Sequence, residues 1–165
     1  YIKQTEFFKR ITNIEKSQKF TNKFQNIKYF AHYDVAIKIF KDFPILGVGN
    51  KNFRNMCDNE KYFDKKIKFS VNRCSTHPHQ VHFELLSEHG LIGYLFLFYI
   101  MFIFFRKNLI NIKLSKNIFH FGSTISLIVT FIPLLPGGAF FSTFNGSLFW
   151  IIFSIVNFNL NKNIH

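Results

Sequence analysis

Residues 74–93 read CSTHPHQVHFELLSEHGLIG. A cysteine and three histidines, Cys74, His77, His79 and His82, share its first nine residues, and an apolar run starts directly after Gly90. Three chemistries fit this stretch. Spelled C-x2-H-x-H-x2-H, it offers zinc three ligands. A histidine at a helix start offers a general base. Polar residues at the edge of a membrane helix are the third reading. Pro78 is suited to a first helical position, where its missing N–H costs nothing. A helix is therefore predicted over 78–89, with His79 its second residue and Gly90 breaking or capping it. That helix end carries unpaired N–H groups and partial positive charge. It would favour neutral imidazole at His79 and seat an anion such as phosphate.

Downstream of Gly90 the chain is apolar. LIGYLFLFYIMFIFF (91–105), IFHFGSTISLIVTFIPLLP (118–136) and SLFWIIFSIVNFNL (147–160) carry no formal charge. A bilayer span needs about 20 predominantly apolar residues, with about 17 as a lower bound. Flanking Gly, Ser, Thr and Asn can extend these stretches. Three transmembrane helices are expected, at about 91–106, 118–136 and 146–160, followed by a cytoplasmic tail at 161–165. The linker between the first two holds Arg106, Lys107, Lys113 and Lys116, the tail holds Lys162, and 137–146 is uncharged. The positive-inside rule places the linker and tail in the cytoplasm, and residues 1–89 and 137–146 outside. Buried helices of a soluble protein are the alternative.

The upstream half is different. All nine acidic residues lie between Glu6 and Glu88, and sixteen of the 21 Lys and Arg lie in residues 1–88. Two environments, not one globule, account for this asymmetry. The net charge of +12 and the 25 phenylalanines accompany abundant Ile, Asn and Lys. That composition can follow from nucleotide bias, and no nucleic-acid-binding pattern is present. No nucleic-acid partner is expected; lipid headgroups or a phosphorylated substrate suit the basic half better. Residues 1–28 read as a surface helix or a loosely ordered lead-in. YFAHYDVAIKIFKDF (29–43) spaces Val35, Ala36, Ile39, Phe40 and Phe43 as an amphipathic helix, which Pro44 ends. Residues 44–76 read as an irregular loop, with GVG at 47–49 too short to signal a dinucleotide site. The chain opens on Tyr1 without a signal peptide, which reads as a fragment lacking its N-terminal part.

Cys57 and Cys74 both fall in the external segment. An oxidising compartment favours a disulfide there, worth roughly 3 kcal/mol in the chain-entropy model; two free thiols are the alternative. Glu84 and Glu88 lie four apart on one helix face, suited to acid–base work, to orienting a basic partner or simply to solvent. Arg54, Lys51 and Arg73 are external cations, and arginine is the natural bidentate partner of a diphosphate.

These residues resemble the C-terminal part of the bacterial O-antigen ligase/polymerase superfamily. Its ligases share His, then Asn, Ser or Gln, nine residues, Gly, two residues, then Gly, Thr or Tyr. Here that is His79, Gln80, VHFELLSEH, Gly90, Leu91-Ile92 and Gly93. AIKIFKDFPILGVGNKNF resembles the family's helix–Pro–GVG–Phe segment of the large periplasmic loop, and PLLPGGAFFSTFNGSLFW the connection of its last helix pair. The resemblance covers about residues 29–158. It implies an all-α integral membrane glycosyltransferase of the GT-C type, here a helical periplasmic loop plus the last three transmembrane helices, in the bacterial inner membrane. It implies transfer of an oligosaccharide from an undecaprenyl diphosphate carrier to a hydroxyl of lipid A-core, with inversion and without metal or cofactor. O-antigen polymerase and protein O-oligosaccharyltransferase share that chemistry with other acceptors. A non-enzymatic polysaccharide-transport or channel-like subunit is the reading from another class. The resemblance makes His79 the catalytic base, with His77, Gln80, Glu84 and Glu88 in support and His82 and His89 outside the chemistry. Family members carry an arginine for the diphosphate roughly where Tyr29 to His32 stand; this chain has none there. The role then falls to Arg54, His32 or Arg73, or to a residue further upstream.

Overall fold

The computed structural model describes residues 28–114, 118–133 and 135–162. The predicted lead-in over 1–28 lies almost wholly outside them. Every regular element among the described residues is helical. Helix α1 spans Lys28–Asp42 and buries Ala31, Val35, Ala36 and Ile39, as the apolar spacing predicts. Pro44 has no N–H to continue it, and the chain turns at 43–47. A single turn, α2, follows at Phe53–Met56, then two 3-10 turns at Glu60–Tyr62 and Ser70–Asn72. The expected irregular loop is thus short turns packed on α1. Val35, Ala36, Ile39, Phe53, Cys57 and Tyr62 form their shared core. Tyr62 adds a hydrogen bond from its hydroxyl to Asp42 at 2.7 Å.

Cys57 and Cys74 are joined in a disulfide. Arg73 sits beside it, 8% exposed, and reaches back across the loop it closes. Its Nε donates to the Cys57 carbonyl at 2.9 Å and its Nη2 to the Asp58 carbonyl at 2.7 Å. Those bonds place Arg73 in the framework of the loop, not on a diphosphate.

Helix α3 runs from Val81 to Leu114 with a break at Gly90 (φ 63°, ψ −167°). In a straight helix the amides of Leu91 and Ile92 would bond the carbonyls of Ser87 and Glu88. Here they turn to Pro44 O at 2.8 Å and Ile45 O at 3.2 Å. The carbonyls of Ser87 and Glu88 accept instead from Val48 N at 3.0 Å and Gly49 N at 2.8 Å. Segment 44–49 therefore docks along the break, and glycine is required on both sides. A Cβ on Gly47 would stand 2.6 Å from Gly90 N, and one on Gly90 would stand 2.6 Å from Gly47 N.

The helix start differs from the sequence expectation. α3 begins at Val81, not at Pro78. His79 has φ 60°, a left-handed conformation that no helix residue adopts. Gln80 does the capping: its Oε1 accepts from His82 N at 2.8 Å and Phe83 N at 3.1 Å. The helix end expected to seat an anion thus has its His82 and Phe83 amides taken by Gln80, and His79 precedes the cap.

Helices α4 (Ile118–Thr130) and α5 (Thr143–Lys162) pack on each other and on α3. Leu97, Met101, Phe104, Leu127, Phe140, Phe149 and Val156 form this second core. One helix among the described residues, Val81–Asn108, is long and apolar enough to cross a membrane; the other two are shorter apolar helices. α4 stops at Thr130, before Pro133 and Pro136, so its 13 residues reach about 20 Å against a hydrocarbon core of about 30 Å. Past Gly90, α3 leaves Leu91, Leu95, Phe96, Tyr99 and Phe102 exposed along one side.

Gly90→Ala forces a side chain into the left-handed region, costing roughly 1–2 kcal/mol, and drives it into the Ile45 carbonyl. The detergent-solubilised protein is expected to melt at lower temperature. Gly122→Ala, whose added methyl meets nothing within 4 Å inside α4, is the control and is expected to melt no lower than wild type.

Candidate functional site

The segment between the disulfide and Gln80 is fixed at each residue. Pro78 is fully buried. The His79 carbonyl accepts from Gly137 N at 2.9 Å, and the Gly137 carbonyl accepts from His77 Nε2 at 3.2 Å. This two-point tie brings the α4–α5 connection onto the histidine loop. Because a carbonyl only accepts, the His77 proton is on Nε2; Nδ1 is left to accept from the Thr76 hydroxyl at 2.9 Å. Burial pushes the His77 pKa down; its bond to the Gly137 carbonyl acts the other way, and the charges of His32 and Arg54 add to the lowering.

The His79 ring is half-buried and joins its Nε2 to Ser75 Oγ at 2.9 Å. Its centroid lies 4.2 Å from His77, 5.2 Å from His32 and 5.3 Å from Tyr29. His32 is 3% exposed and its Nδ1 donates to the Arg73 carbonyl at 2.9 Å. That places His32 behind His79 as its neighbour, not out on a diphosphate. An open cavity of about 530 Å³ has His79, His32, Tyr29, Ser75 and Asn72 on its walls.

His77 faces a second cavity, of about 450 Å³. Lys51 and Arg54 give this cleft a cationic wall beside neutral His77, and Ser142, Thr143 and Asn145 give it a neutral polar one. Its floor is Glu84 and Glu88, each 2% exposed. The solvated face that their spacing allowed is not where they lie. Both turn inward and accept from backbone amides: Glu84 from Phe140 and Phe141, Glu88 from Lys51 and Phe53. A third cavity of about 340 Å³, with Val81, Leu127, Phe149, Ser126 and Thr130 on its walls, meets this cleft at Gly138 and Asn145.

The zinc alternative does not assemble. Cys74 is spent in the disulfide. His82 uses both nitrogens, on Tyr94 Oη at 3.0 Å and Phe131 O at 2.9 Å. No group of three or more His, Cys, Asp or Glu among the described residues is disposed to hold a metal ion. His89 instead packs its ring 4.7 Å from Phe141.

Of the residues named from the sequence, Arg54, His77, Glu84 and Glu88 line one cavity, His79 and His32 line another, and Gln80 caps α3. Sequence reading missed Ser75, Tyr29 and the 137–145 wall. Gly137-Gly138 followed by Ser142, Thr143 and Asn145 is an uncharged run, and polarity of that kind does not stand out from an ordinary loop.

The sign of the His77 shift makes the packing around His77 pH-dependent, through its burial and not through the Gly137 bond, which a protonated ring donates as well. A histidine held below its ordinary value of about 6.5 contributes stability in full above that value. The contribution is lost as pH falls from there through the lowered one. Hydrogen exchange at Gly137, corrected for intrinsic rates, is expected to quicken between about pH 7 and about pH 5, and His77→Gln is expected to abolish that dependence.

A family model described as O-Antigen ligase matches residues 2–98, which take in the 44–49 segment, the disulfide, the histidine loop and the Gly90 break. No curated protein and no solved structure matches the chain. With more than half of its 165 residues under that match, the chain belongs to the O-antigen ligase family and is an O-antigen ligase-like glycosyltransferase.

Proposed function

We propose that this chain carries the transfer site of a glycosyltransferase that moves an oligosaccharide from an undecaprenyl diphosphate carrier to a hydroxyl of lipid A-core. The transfer takes place on the periplasmic face of the bacterial inner membrane, and α3, α4 and α5 are the chain's membrane helices. One observation carries the reading. Two non-glycine residues among the described residues, Lys51 and His79, have left-handed backbone, and they face the two adjoining polar cavities. Such conformations cost free energy and persist where surrounding structure over-determines them, as at catalytic sites.

His79 is the base. It takes the proton of the acceptor hydroxyl as that oxygen attacks the anomeric carbon. The anomeric C–O bond to the diphosphate breaks, and the electron pair leaves with the diphosphate oxygen. Attack opposite the leaving group inverts the anomeric centre. Arg54, supported by Lys51, meets the charge that develops on the leaving diphosphate. His32 and Ser75 hold the His79 ring.

His79→Asn tests the base without breaking the backbone, because asparagine tolerates the left-handed region. With donor and lipid A-core in proteoliposomes, the variant is expected to lose about 10²- to 10⁴-fold in transfer rate, at normal abundance in the membrane. A wild-type rate contradicts the assignment. Consumption of donor only with a second glycan repeat, or only with a protein acceptor, replaces lipid A-core by that acceptor. No consumption with any of the three contradicts transfer altogether.

A further inference from the structure

One helix turn holds both walls of the polar cleft. Glu88 Oε2 accepts from Lys51 N at 2.8 Å and its Oε1 from Phe53 N at 3.1 Å. Those amides bracket the turn that leads into Arg54. Glu84, one turn earlier, accepts from Phe140 N at 2.9 Å and Phe141 N at 3.4 Å, at the start of the segment carrying Ser142 to Asn145. Burying a carboxylate is costly, and where only stability is at stake an apolar side chain of similar volume serves as well or better. Two fixed acceptors supply what an apolar contact does not: a defined position for the amides they hold. Lys51 itself is in left-handed backbone, which its residue type does not favour and the Glu88 bond to its amide restrains.

We propose that Glu88 is a positioning residue for donor binding: it sets the turn that presents Lys51 and Arg54 to the diphosphate. Glu84 is its counterpart on the opposite wall and does not set that turn. The proposal rests on the reading of Arg54 as a diphosphate ligand. It gives the buried pair separate effects, one per wall, although they lie on the same helix face.

The test is steady-state transfer by the full-length enzyme in proteoliposomes, titrating the undecaprenyl diphosphate-linked donor at fixed acceptor. Glu88→Gln keeps the volume but offers one acceptor where two are used. It is expected to raise the donor KM about tenfold with kcat changed less than about threefold. Glu84→Gln is expected to leave the donor KM within about twofold of wild type. Arg54→Ala is expected to raise the donor KM, and adding Glu88→Gln to it to raise it no more than about twofold further, because the two act as a unit. A donor KM unchanged in Glu88→Gln but raised in Arg54→Ala overturns the positioning role alone. Multiplying effects in the double variant, or an equal rise in Glu84→Gln, overturn it too. A donor KM unchanged in Arg54→Ala overturns the diphosphate assignment beneath it. Should Glu88→Gln fail to accumulate, Glu88→Asp, one methylene shorter, takes its place; a wild-type donor KM in that variant overturns the proposal.

Discussion

The rest of the structure depends on the break at Gly90. Two intrahelical hydrogen bonds are given up there, and four bonds to residues 44–49 replace them. The amides of Leu91 and Ile92 and the carbonyls of Ser87 and Glu88 all keep partners in the exchange, which offsets the cost of a kink in a long apolar helix. The docked segment carries α1 on its N-terminal side and Lys51 and Arg54 on the other. The break adds these four backbone bonds to the side-chain contacts that place the loop half on the helical half. The close approach of Gly47 to Gly90 gives a physical reason for the glycine of GVG and for the first glycine of the histidine motif.

A second constraint works from the other end of the loop. The disulfide joins α2 to the residue just before the histidines, and Arg73 crosses the same gap with bonds to the Cys57 and Asp58 carbonyls. Such a crosslink acts mainly on the unfolded chain, at roughly 3 kcal/mol. Arg73 adds what the disulfide lacks, since its own carbonyl fixes His32. The histidine loop is therefore tied through Cys74 to α2, through His32 to α1, and through Gly137 to the α4–α5 connection. A site assembled from three separate elements needs such ties, because catalytic groups must be held to a fraction of an ångström.

Features written in local chemistry were legible in the sequence. Pro44 ended α1, Gly90 broke α3, and the cysteines paired across the loop. Features decided by tertiary contact were not. Pro78 looked like a helix start by its own preference, but Gln80 took the capping role and His79 was turned into the left-handed region. The spacing of Glu84 and Glu88 gave their shared face and not its direction; the amides that draw them inward lie 35 to 57 positions away. Arg73 and Arg54 are the same residue type in the same loop. Only the fold separates the one spent on carbonyls from the one exposed on the cleft. The 118–136 stretch is continuous in apolar character, yet its prolines stop α4 at Thr130.

The central claim is that donor chemistry occurs where the Arg54 wall and the His79 loop meet. An experimental structure of the full-length enzyme with a non-hydrolysable undecaprenyl diphosphate-linked glycan analogue tests it most directly. The account predicts the diphosphate within hydrogen-bonding reach of Arg54 and His79 facing the anomeric carbon across space for an acceptor hydroxyl. A diphosphate bound away from this cleft, with His79 turned from the anomeric carbon, contradicts it.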